Sequence, residues 1–112
     1  MTNRIPKVNE LIKREISRMI LREIEFPVGV LVTVTRVETS SDVKEASIYI
    51  SVLPDNKEKK VHEVLKKQMY FIQQKFNNNV KMRPLPRLKF LEEKEIIQAD
   101  RVEGLLEQLK ND

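Results

Sequence analysis

"VKEASIYISVLPDNKEKKVHEVL", residues 43–65, changes its hydrophobic period partway along. In its first half Ala46, Ile48, Ile50 and Val52 alternate with Ser47, Tyr49 and Ser51. Successive side chains of a strand point to opposite faces, so 43–53 reads as a strand with one buried face. "LPDNK" (53–57) interrupts the alternation. Pro54 closes the strand, and Asp55 or Asn56 is expected to cap a helix. Beyond it Val61, Val64, Leu65, Met69, Ile72 and Phe76 recur at helical spacing, and "NNN" (77–79) ends that run.

Upstream, "GVLVTVTRV" (29–37) is a second β-rich run, with Val30, Val32 and Val34 expected on one face. "ETSSD" (38–42) is a turn-rich connector, so the two runs form a hairpin. From Val8 to Ile24 the residues Val8, Leu11, Ile12, Ile16, Met19, Ile20 and Ile24 make an amphipathic helix. Asn3 is placed to cap it, Pro6 suits its first turn, and Pro27 follows its end. Downstream, "VKMRPLPRLKF" (80–90) lacks the repeated proline spacing of a polyproline ligand. Pro84 and Pro86 instead read as an extended lead-in to a short strand, with Leu88 and Phe90 pointing into the core. "QADRVEGLLEQLKND" (98–112) reads as an acidic C-terminal helix.

The order is α-β-β-α-β-α, an α+β domain. A helix between strands two and three implies a right-handed crossover, with the helices packed on one face of a three-stranded sheet. The chain of 112 residues has only two glycines and no internal repeat, so 1–112 is expected to be a single domain, with 94–112 as an acidic helix or tail. No apolar run approaches the ~20 residues of a membrane span, and no signal peptide is expected, so a cytoplasmic protein is the expectation. The chain contains no cysteine, which excludes a disulfide framework and a thiolate metal site.

Catalysis finds little to work with. His62, the one histidine, lies in a lysine-rich helix and is expected to be an exposed helix residue. Neither a metal set nor a Ser-His-Asp arrangement is spaced for use, and Gly29 and Gly104 are too far apart for a phosphate loop. No enzyme, cofactor or metal is therefore expected.

Charge carries more. Residues 57–89 hold ten Lys/Arg against two Asp/Glu, whereas 90–112 hold three against seven. That concentration fits either a polyanion-binding surface or a solvated lysine face. Lys59, Lys66, Lys67 and Lys75 decorate the second helix, and Lys81, Arg83, Arg87 and Lys89 extend the charge beyond it; such cations hold phosphates without reading sequence. On the first helix Arg14, Arg18 and Arg22 form another stripe, part of it expected to pair with Glu15, Glu23 and Glu25. Tyr70 falls opposite the apolar stripe, among lysines. It is either a base-stacking residue or, if the helix bends there, a residue tucked into the core; burial is the expectation for a large aromatic.

The pieces "VTVTRVETSSDVKEASIYIS" and "MRPLPRLKF", with the helix between them, resemble the ribosome-binding factor A family over roughly residues 4 to 109. Asp42, Ala46, Pro86 and Phe90 fall where the family pattern wants them. The resemblance implies a type II KH-like fold, α-β-β-α-α-β. It also implies a non-enzymatic assembly factor that binds the small ribosomal subunit and helps mature 16S ribosomal RNA, notably in the cold, acting as a monomer away from membranes. The family has an Ala-x-Gly kink between its central helices, followed by an aromatic, Ile and Arg. Here Gln68, Met69 and Tyr70 stand at the kink, Phe71 and Ile72 are kept, and Gln73 replaces the arginine. Without the glycine's backbone freedom, a continuous helix from about 61 to 76 is expected.

Two other readings stay open. One is a protein-interaction module that does not bind RNA, whose acidic C-terminal helix docks a basic partner or folds back on its own basic surface. The other is a small hydrolase, which a pocket containing His62 would support.

Overall fold

The structure is a computed structural model and describes residues 4–94. Its elements run α1 (Ile5–Glu23), β1 (Leu31–Thr39), β2 (Glu45–Leu53), a 3-10 turn (Asp55–Lys57), α2 (Glu58–Lys67), α3 (Met69–Asn79) and β3 (Arg87–Glu92). This is the α+β, KH-like order that the resemblance implies. The acidic helix expected over 98–112 lies outside the described residues, as does Asn3; Arg4 holds the N-cap position of α1 without a side-chain cap.

β2 is the central strand, as its alternation requires. Ala46, Ile48, Ile50 and Val52 are all buried, and the sheet order is β1-β2-β3. β1 pairs with it antiparallel through the short connector, and β3 pairs with it parallel. A parallel neighbour demands a long crossover, which α2 and α3 provide. Their buried residues Val61, Leu65, Ile72 and Phe76 join Val8, Ile12, Ile16, Met19 and Ile20 of α1 against the inner face of the sheet in one cluster. The outer face keeps Tyr49, Arg87 and Lys89 at least partly in solvent.

One local expectation holds with an addition and two are corrected. The expected shared face of Val30, Val32 and Val34 is kept, with Val32 and Val34 opposite Val52 and Ile50. Beyond it the pairing steps from Val34–Ile50 to Arg36–Tyr49, leaving Thr35 as a bulge. The extra residue flips the phase beyond it, so Val37 is the next buried residue after Val34, while Val30 and Val32 pack partly against the same core. Neither Asp55 nor Asn56 caps α2. Both are used by the 3-10 turn, in which the Lys57 N–H donates to Pro54 O at 3.0 Å, and Lys57 becomes the N-cap.

The second correction matters most for the site. The helix expected to run unbroken through 61–76 stops at Lys67 and restarts at Met69. Gln68 sits at φ −95°, ψ 6°, a sparsely used conformation but one open to every L-residue. No glycine is needed because φ stays negative. The Gln68 N–H still donates to Val64 O and its carbonyl accepts from the Ile72 N–H, so the backbone groups of Gln68 itself stay satisfied.

"MRPLPRLKF" reaches the core as expected. Pro86 and Leu88 are buried and Phe90 is half-buried. The segment bends at Arg83–Pro84, whose peptide bond is cis, rather than extending throughout.

Candidate nucleic-acid interface

Side-chain ties fix where the cations of α2, α3 and β3 can stand. Gln73, half-buried on α3, donates through Nε2 to Pro86 O at 3.1 Å, while its Oε1 accepts from the Leu88 N–H at 3.0 Å. One amide thus binds the backbone on both sides of Arg87 and holds the start of β3 against α3. At the other end of α3, Asn79 Nδ2 donates to Glu15 Oε2 of α1 at 2.8 Å, and Lys75 Nζ lies 3.2 Å from Glu23 Oε1.

These ties sort the candidate residues. Arg18 grips Glu15 at 2.9 and 3.1 Å and Lys75 is paired with Glu23, so both are engaged within the fold. Burial alone would raise the Glu15 carboxyl, but hydrogen bonds from Asn79 and Arg18 outweigh it and lower the pKa, keeping the anion in place. Arg14, Lys59, Lys66, Lys67, Lys81, Arg83, Arg87 and Lys89 are exposed and, among the described residues, form no ion pair. Lys66 and Lys89 meet at one hollow of about 310 Å³, floored by Leu65, Met69, Leu88 and Phe90 between α2 and β3. Arg14 stands apart on α1.

Tyr70 corrects the expected burial. The helix does break beside it, yet Tyr70 is 79% exposed at the start of α3. Phe71 next to it is 40% exposed, with Lys75 Nζ 6.0 Å from its ring centroid. An open aromatic following Lys66 and Lys67 has the composition of a base-stacking position.

His62 is also corrected. It is half-buried and lines the hollow with Lys66 and Lys89; its Nε2 lies 3.9 Å from Glu58 Oε2 and has no hydrogen-bond partner. Burial pushes its pKa down, which favours the neutral imidazole. The hollow that contains it holds no hydroxyl, thiol or carboxylate among its lining residues, so the hydrolase reading gains no nucleophile from it. Among the described residues no group of His, Asp or Glu is arranged to hold a metal, and no helix is long and apolar enough to cross a membrane.

Several participants were not singled out in the sequence. Arg36, next to the bulge, stacks 3.8 Å from the Tyr49 ring centroid and donates from Nε to Glu93 Oε1 at 2.8 Å. Glu93, only 6% exposed, also accepts from Thr35 Oγ1 at 2.7 Å, and its N–H donates to Ile50 O. Gln73 was visible only as a departure from the family's arginine. Its contacts join residues far apart in the chain, which periodicity does not reveal.

The fold and the exposed cations define a small KH-like α+β module with a helix–break–helix crossover and a charged segment clamped beside it. A family model described as ribosome-binding factor A matches residues 4–106. The chain belongs to the ribosome-binding factor A family. It is 35% identical over 113 aligned residues to the ribosome-binding factor A of Macrococcus caseolyticus, covering 100% of this chain and 99% of that protein. The Akkermansia muciniphila protein of the same name is 40% identical over 90 residues, covering 80% of this chain and 71% of that one. In three dimensions the chain is similar to the crystal structure of ribosome-binding factor A from Thermus thermophilus. That match has TM-score 0.68 at 25% identity and covers 78% of this chain and 92% of the other. It is also similar to a homology model of the Thermus thermophilus factor fitted into a cryo-electron microscopy map of a complex with the 30S subunit, with TM-score 0.57, 26% identity, and 75% and 93% coverage.

Proposed function

We propose that this chain is a non-catalytic assembly factor that binds the small ribosomal subunit and assists maturation of 16S ribosomal RNA in the cytoplasm, including in the cold. One observation carries the reading: a family match over residues 4–106 coincides with exposed cations, Lys66 and Lys89 at one hollow and Lys67 and Arg87 elsewhere on the surface, that are unpaired among the described residues. The Thermus relative seated on the 30S subunit supports the choice of partner.

Mechanistically, the cations of α2 and of the 81–89 segment grip phosphates while Tyr70 offers a ring to a base. The fold supplies a rigid backing, because Gln73 locks the cationic segment to α3. A factor of this kind acts by binding one RNA conformation more tightly than another, and that differential affinity requires no bond-making residue.

Co-sedimentation with immature and mature small subunits tests the proposal. The expected result is retention on both with a clear preference for the immature particle, weakening as salt rises. Absence of retention, or equal retention on the two, would overturn the assembly role.

A further inference from the structure

The polar run "NNN" (77–79) ends α3 beside a surface more completely built than a helix stop requires. Two hollows of about 550 and 560 Å³ meet there, and Asn77 lines both. Lys44 and Arg87 line the first, Lys81 and Arg83 the second. Among the described residues none of these four cations has an ion-pair partner. Glu45 is the one carboxylate among the residues lining the two hollows.

The hydrogen-bond directions are dictated from the backbone outward. The Leu88 N–H can only donate, so it fixes Gln73 Oε1 as acceptor and turns Gln73 Nε2 into a donor. Nε2 gives to Pro86 O and to Asn77 Oδ1, each at 3.1 Å. Asn77 must therefore present its oxygen to Gln73, which leaves its amide NH2 as the end with no partner among the described residues. Asn77 is thereby oriented as a donor.

Lys44 is held as firmly. Its N–H donates to Asp42 Oδ1 and to Ser40 Oγ, each at 3.1 Å, and its carbonyl accepts from the Arg87 N–H at 2.9 Å. Val43 before it takes φ 59°, a strained conformation for a branched residue, and is buried as the anchor of the turn.

From this we infer that the trough centred on Asn77 is a phosphate-binding subsite for the backbone of single-stranded RNA, with Lys44, Lys81, Arg83 and Arg87 as its cations and Gln73 as the residue that positions Asn77 and Arg87. The helix end contributes about half a negative charge from its carbonyls. Four cations against one carboxylate exceed that comfortably, so the trough is a donor-rich, electropositive site. It lies beyond the α2 lysines and Tyr70, and it adds Lys44 and Asn77, neither of which the charge pattern of the sequence picks out. The inference rests on the RNA-binding reading, and its test separates the two.

The probe is a fluorescein-labelled, mixed-sequence single-stranded RNA of about 16 nucleotides, titrated into the full-length chain over a range of salt. Asn77→Asp retains the oxygen that accepts from Gln73 and puts a negative charge in the trough; a loss of affinity of about tenfold is expected. Lys44→Gln, on an exposed turn, is expected to weaken binding and to reduce the slope of log affinity against log salt by about 0.7. Both variants should unfold at the wild-type temperature, and if Asn77→Asp does not, Lys44→Gln decides alone. Wild-type affinity and salt slope in these variants, alongside weakened binding in the Lys66→Gln/Lys67→Gln double variant, would overturn the trough and leave the RNA reading standing. Wild-type binding in the double variant as well would overturn both.

Discussion

Gln73 stands where the family resemblance places an arginine, and the exchange has a structural logic. An arginine carries donors only and cannot accept the Leu88 N–H, whereas the amide both accepts from Leu88 and donates to Pro86. The kink-following cation is thus replaced by a clamp that fixes the cation of β3 instead. A second polar residue, Glu58, governs the opposite end of the crossover. Burial, and then its hydrogen bond and charge contact with Glu92, push the Glu58 carboxyl up to about 7, while Glu92 is lowered. In the unfolded chain a glutamate titrates near ~4.3. The folded chain therefore holds the extra proton between that value and about 7, and the stability it brings is lost as pH rises through this window. The lowered Glu92 acts in the opposite sense, and only below the usual carboxylate range. Glu58→Gln keeps an N–H to offer Glu92 but removes the titration. His62, whose pKa burial lowers, adds stability with rising pH over the same range in both proteins. The expected outcome is therefore a melting temperature of the native chain that falls by a few degrees relative to that of Glu58→Gln between about pH 5.5 and about pH 8. A difference between the two proteins that does not change over this range would contradict the shared proton.

At the scale of elements, the break at Gln68 shows what local reasoning left out. The buried positions Val61, Leu65, Ile72 and Phe76 keep a single helical phase across it, so the hydrophobic pattern gives no sign of an interruption. The cause is tertiary: α3 is tied to β3 by Gln73 and to α1 by Asn79 and Lys75, while α2 packs its stripe against the sheet. Two sets of ties pulling on one helix are accommodated by a single residue at negative φ. It follows that the Gln68 side chain does not set the break. Gln68→Ala, a change toward a stronger helix former, should leave residue 68 with non-helical 13Cα chemical shifts and the melting temperature nearly unchanged. Continuous helical shifts from 61 to 76 in that variant would place the cause in the side chain instead. The β1 bulge was hidden for a related reason. A run of alternating valines and threonines shows its period but not the step at Thr35, which depends on Glu93 arriving from the far end of the chain.

For the molecule as a whole, the strand-to-helix switch in 43–65 and the alternation of "RLKF" were enough to yield the order and the inner face of β2, because burial imposes its period directly on the sequence. The charge surplus of 57–89 likewise survived as a cluster of exposed cations. That Lys75 is engaged while Lys66, Lys67, Arg87 and Lys89 are not was not legible, since it depends on partners such as Glu23 that come from other elements. Those partners are positioned by a single core: the stripes of α1, α2 and α3 and the inner faces of all three strands belong to one buried cluster, with Phe76 fully enclosed within it. No element therefore has a core of its own to retain when another is loosened. Phe76→Ala removes a large ring from this cluster at a cost of about 3–5 kcal/mol, set against a total of about 5–15 kcal/mol for a domain of ordinary stability. The expected outcome is a fall in melting temperature of well over 10 °C, roughly the shift such a loss gives in a small domain. Helical circular dichroism and the fluorescence of Tyr49 on the sheet, read in a Tyr70→Phe background that removes the other tyrosine, should be lost together in one transition. If the sheet signal outlived the helical one, α3 would be a separable cover rather than part of the core, and the clamp through Gln73 would no longer explain how the cationic segment is held in register with α3.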